Sequence, residues 1–142
     1  MSDVSLIGSF GPKNRWQKKV MSTDITTDTT ITELGFSNLE VGKHYEIKLN
    51  LTNIAAQDDS AAVVRINHDG NILTELGMGN GAAEVTDKAS AGRAGVSVIF
   101  KATATTLTFT TTSINAGSRI EAENSSAILI ERNDLEDEVS IW

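Results

Sequence analysis

From position 45 to position 52 the chain reads Tyr-Glu-Ile-Lys-Leu-Asn-Leu-Thr, apolar and polar in strict turn. A helix repeats its faces every ~3.6 residues, so a period of two cannot build one apolar stripe on it. The segment therefore reads as a strand buried on one side. Tyr45, Ile47, Leu49 and Leu51 take that side, and Glu46, Lys48, Asn50 and Thr52 the other. The alternation returns in Val96, Val98 and Phe100 against Ser97 and Lys101, and in Leu107 and Phe109 against Thr108 and Thr110.

Further strands are expected over 15–21, 29–36, 61–67, 71–77 and 126–132. Threonine, valine and isoleucine dominate these segments, and a branched β-carbon loses χ1 freedom against a preceding helical turn. Turn residues separate them at Val41-Gly42-Lys43, Gly79-Asn80-Gly81 and Asn115-Ala116-Gly117. His68-Asp69-Gly70-Asn71, set between two strands, signals a tight hairpin. About eight short strands predict an all-β fold, an antiparallel β-sandwich of jelly-roll type. Residues 15–132 form the expected domain, with 1–14 as an N-terminal arm and 133–142 as an acidic C-terminal tail.

A length of 142 residues suits a single core of ordinary size. The chain has no cysteine, which removes disulfides, thiol redox chemistry and thiolate metal sites. His44 and His68 are its only imidazoles, too few for a histidine-rich zinc site. A net charge of -7 repels phosphate backbones, so nucleic acid is not an expected partner. No stretch approaches the ~20 apolar residues of a membrane helix, and residues 1–12 do not read as a signal peptide.

Known catalytic patterns do not fit. Gly77-Met78-Gly79-Asn80-Gly81 leads into no helix that could meet a phosphate. The acidic pairs Asp58-Asp59 and Glu121/Glu123 have no evident cleft, and neither histidine is set between a serine and an acid. Asp69, Asn71 and Asp87 lack the spacing of a calcium loop. The expectation is a chain with no catalytic residues, cofactor or metal.

Contact residues are more legible. Val63, Ile99 and Leu129 fall opposite the apolar side of their strands, and a patch of such residues suits a homo-oligomer interface. Arg15, Trp16, Lys18 and Lys19 make a basic start. Val139, Ile141 and Trp142 alternate along the acidic tail and suit docking or strand addition. Trp16, Tyr45 and Trp142 are the aromatic residues that could stack on a sugar.

Two stretches carry a family resemblance. Leu34-Gly35-Phe36-Ser37-Asn38-Leu39-Glu40-Val41-Gly42-Lys43-His44-Tyr45-Glu46-Ile47 resembles the lead-in to the first long strand of small structural proteins from tailed bacteriophage particles. Leu107–Thr112, Gly117–Glu121 and Ala127–Glu131 resemble the closing strands of jelly rolls on phage tail fibres and capsid surfaces. Spanning about residues 15–132, the resemblance implies a trimeric jelly roll that is part of the virion and offers no catalytic residues. With about fourteen residues ahead of the domain, it implies a capsid decoration (cement) protein, short head fibre or tail accessory subunit, held by other virion proteins. The alternative is a receptor- or glycan-binding module of a phage tail.

Overall fold

The computed structural model describes residues 15–54, 62–78, 87–89, 92–112, 114 and 118–135. Its strands are β1 (Trp16–Val20), β2 (His44–Ile54), β3 (Ala62–His68), β4 (Asn71–Met78), β5 (Asp87–Ala89), β6 (Gly92–Lys101), β7 (Leu107–Thr111) and β8 (Arg119–Glu131). They form two sheets, in the orders β1-β8-β2-β6 and β5-β4-β3-β7.

The pairs nest from the outside of the chain inward. β1 pairs with β8, β2 with β6, and β3 with β4, all antiparallel. Between β1 and β2, Thr30 and Phe36 bridge Thr110 and Leu107 of β7, supplying the remaining pair. Such nesting, with the chain alternating between sheets, is a jelly roll. β5 departs from the antiparallel expectation, since it lies parallel to β4 over Leu76–Met78.

Alternation decides what the sheets enclose. Tyr45, Ile47, Leu49 and Leu51 are all buried, as are Val64, Ile66, Leu107 and Phe109 from the facing sheet. The hairpin at Asp69-Gly70 is also as expected. Both residues have positive φ, 51° and 77°, the conformation a two-residue turn requires to match strand twist.

The stretch 29–36 is not a strand throughout. Continued alternation from Ile31 would aim Glu33 at the core. Instead a 3-10 turn at Thr32–Leu34 swings Glu33 outward, where its carboxylate accepts from the Ser22 hydroxyl and, at 2.9 Å, from the Ser22 N–H. Ile31, Leu34 and Phe36 are thereby all buried, with the segment lying along the β7 edge of the second sheet.

The only tyrosine of the chain gives this core a titration signal. Burial pushes the Tyr45 phenol above its ordinary 10.0, opposed by the Glu40 N–H that donates to its oxygen and reinforced by the charge of Glu131. The unfolded phenol releases its proton first, so above pH 10 the folded state holds more protons and loses stability as pH rises. Absorbance at 295 nm is expected to show phenolate forming above the free-tyrosine range, together with alkaline unfolding. Ionisation at the ordinary value with the fold intact would refute this account.

Candidate functional site

The outer face of the first sheet is built by the residues that alternation turns away from the core. Three rows cross β1, β8, β2 and β6 in register. The first is Trp16, Ile130, Glu46 and Ile99. The second is Lys18, Ile128, Lys48 and Ser97, and the third is Val20, Ser126, Asn50 and Gly95. Trp16 is 66% exposed and Ile99 48%. The face thus runs from a row apolar except at Glu46, through two lysines astride Ile128, to an amide and a hydroxyl beside a glycine.

Below the third row the sheet opens. Asn50 faces Ser126, but Thr52 faces Glu121, so β8 bulges through Ala122–Ser125. Asn124 takes a φ of 67°, a left-handed conformation that asparagine tolerates better than most residues. Side chains replace the interrupted ladder. The Ser125 hydroxyl accepts from the Thr52 N–H at 3.0 Å and donates to the Glu121 carbonyl at 2.5 Å. Asp24 accepts from the Ala122 N–H at 2.8 Å.

The bulge forms one wall of a groove of about 730 Å³, lined among others by Lys18, Val20, Asn50, Gly95, Glu123, Asn124, Ser126 and Ile128. A volume of that order suits a small ligand. Gly95 lies beside the groove, and a Cβ there would stand 2.8 Å from Asn50 Oδ1, so any larger residue would move the Asn50 amide. A shallower hollow of about 280 Å³ continues past Asn50 and Gly95 to Lys48, Val96 and Ser97.

Among the described residues, no hydrogen bond or ion pair holds the side chains of Lys18, Lys48, Asn50, Glu123, Asn124 or Ser126. Their neighbour Glu46 is committed, since Arg132 donates to it at 3.0 Å and to Asp134 at 2.8 Å. On a chain of net charge -7, the middle of this face therefore presents two free ammonium groups. The groove offers donors and acceptors at fixed places, and neither histidine lines it.

The interface residues expected from the sequence do not meet. Leu129 is a correction: it is 2% exposed in the core, and Ile128 and Ile130 face outward instead. Three successive aliphatics carry no alternation, and the pairing of β8 with β1 and β2 decided which pointed in. Val63 is buried on the outer side of the second sheet, away from Ile99 on the first. Of the basic start, Trp16 and Lys18 share the outer face, but Lys19 turns the other way and sets its ammonium 5.2 Å from the centre of the Phe36 ring. Arg15 is exposed just before β1. Val139, Ile141 and Trp142 lie outside the described residues, as do Asp58-Asp59 and Gly79-Asn80-Gly81.

Tyr45 is no sugar platform, being 3% exposed and stacked on Phe100 at 5.9 Å. His68 is structural. Its Nδ1–H donates to the Thr106 carbonyl at 2.9 Å, and its Nε2 accepts from the Thr103 N–H at 3.0 Å. Asp69 accepts from the Thr103 hydroxyl and Asn71 donates to the Asp69 carbonyl, so both belong to the hairpin turn. The residues that sequence reasoning missed are Lys48, Asn50, Gly95, Asn124 and Ser126. Along the chain Ala91-Gly92-Arg93-Ala94-Gly95 reads as a glycine-rich turn, but β6 begins at Gly92 and includes Gly95. A glycine within a strand was the available signal for a close approach.

No family model matches the chain, and no curated protein matches it. Among solved structures it is similar to the C-terminal domain of EclA, described as a sugar-binding protein. That likeness has 18% identity and a TM-score of 0.43, over 83% of this chain and 79% of that one. A likeness so distant carries no argument about this chain.

Proposed function

We propose that this chain is a non-catalytic glycan-binding domain that works through the outer face of its first sheet. The observation that carries the reading is the groove beside the β8 bulge, where Asn50, Ser126, Asn124 and Glu123 stand uncommitted beside Gly95. A hydroxyl-rich ligand both donates and accepts, which suits amide, hydroxyl and carboxylate groups placed together. Rigid strands hold Asn50 and Ser126, so little ordering cost falls on the protein when a ligand arrives.

A glycan array followed by isothermal titration tests this. Asn50→Ala is expected to weaken the best ligand about tenfold, the loss of one or two hydrogen bonds of ~1 kcal/mol each, at an unchanged unfolding midpoint. No binding to any glycan at millimolar concentration would refute the reading.

A second reading is favoured by exposed Trp16 beside half-buried Ile130, and by exposed Ile99 beyond Glu46, in the first row. It makes the chain a homotrimeric virion subunit, on capsid or tail, that adheres through the apolar residues of this row. The same sample weighed by light scattering separates the two. A trimer that Trp16→Ser dissociates supports the second reading, and a monomer removes it.

A further inference from the structure

We infer that the ligand of this face is an acidic saccharide, with its carboxylate held between Lys18 and Lys48. The inference rests on the glycan-binding reading and adds the charge and direction of the ligand. Lys18 and Lys48 flank Ile128 in one row, two strand spacings or ~10 Å apart at Cα, within reach of a shared anion for side chains of this length. Both are exposed and engage no partner among the described residues.

The rows on either side set the direction. Trp16 is the next outward residue from Lys18 along β1, ~7 Å away, where its indole can carry the face of a sugar ring. Asn50 and Ser126, in the row beyond, meet hydroxyls on the other side of the carboxylate. The bound saccharide runs along the strands, from indole through lysines to amide.

Other anions fit less well. A peptide added as a strand would pair along the β1 edge, whereas Lys48 and Asn50 sit two strands in, on β2. A nucleic acid presents many phosphates to a chain of net charge -7, while a saccharide with isolated carboxylates needs only the local lysine pair.

The test is titration calorimetry of the full chain with trigalacturonate and its carboxyl-reduced, neutral counterpart, and with sialyllactose and lactose. The acidic member of at least one pair is expected to bind tenfold or more tightly than its neutral partner, and less so as salt rises. In the Lys18→Gln/Lys48→Gln variant that gap should close, while the neutral sugar binds as before. Trp16→Ala should weaken both members equally. Equal binding of acidic and neutral members, unaffected by the lysine changes, would overturn the inference and leave the glycan reading standing. Failure of all four sugars, together with failure of every glycan on the array, would overturn both. Binding of a synthetic peptide of residues 134–142 through the same lysines, with no sugar bound, would assign the face to the acidic tail of another copy.

Discussion

Replacing Leu129 by alanine is expected to destabilise the protein by about 2–5 kcal/mol, whereas Ile128→Ala should cost less than about 1 kcal/mol. The two are adjacent on β8 and nearly equal in volume. Leu129 is 2% exposed, lies between Gln17 of β1 and Ile47 of β2 in register, and belongs to the core cluster. Its removal leaves a cavity walled by both sheets. Ile128 lies on the outside between Lys18 and Lys48, where the lysine stems and water close over a truncated side chain. Native stability totals only ~5–15 kcal/mol, so the Leu129 variant should unfold at a much lower urea concentration. Equal midpoints, or a larger loss at Ile128, would show that the register of β8 is wrong. The groove would fall with it, because Ser126 faces out beside Asn50 only in this register.

His68→Leu is expected to cost about 2–4 kcal/mol, although leucine preserves most of the apolar volume. The imidazole is 5% exposed and packs 4.9 Å from the Phe100 ring. One nitrogen donates to the Thr106 carbonyl and the other accepts from the Thr103 N–H, so one side chain spans the connection between β6 and β7. Leucine would leave both backbone groups without their partner at a site only partly open to water. Glutamine carries a donor and an acceptor, and His68→Gln should recover part of the loss. Urea titration of the three proteins checks the order His68, Gln, Leu. If His68→Leu were as stable as the parent, the paired hydrogen bonds would not be what holds this connection.

How much of this could be read along the chain differs from residue to residue. The face of β2 was legible because apolar and polar residues alternate there without a break, and burial follows the pattern residue for residue. The turn at Asp69-Gly70 was legible because few residue pairs accept two positive φ angles in succession. Trp16 and Lys18 could be singled out as part of a basic start, and Ile99 as an aliphatic on the polar side of its strand. Their places relative to one another could not, since those depend on which strand lies beside which.

The candidate site shows the same division. Lys48 and Asn50 were visible as the polar side of a strand, and Ser126 as the first residue of another. Their meeting depends on the β8 bulge, which inserts Ala122–Ser125 between positions paired with Asn50 and Thr52. No local pattern announces that insertion, because its hydrogen bonds come from Ser125 across the sheet and from Asp24, far back along the chain.

Alternation, β-branched composition and turn residues by themselves determined that this protein would be a sandwich of short strands, and which side of its longest early strand would be buried. These are local properties, written in the period of the side chains and the φ angles that particular residues accept. Tertiary structure alone decided the inward turn of Leu129, the outward turn of Glu33 and the gathering of Lys18, Lys48, Asn50 and Ser126 on one face. Leu129 and the meeting of Lys18 and Ser126 with β2 rest on register between strands distant in sequence, where a shift of one residue turns a side chain to the other face. Glu33 rests on the 3-10 turn and its contact with Ser22.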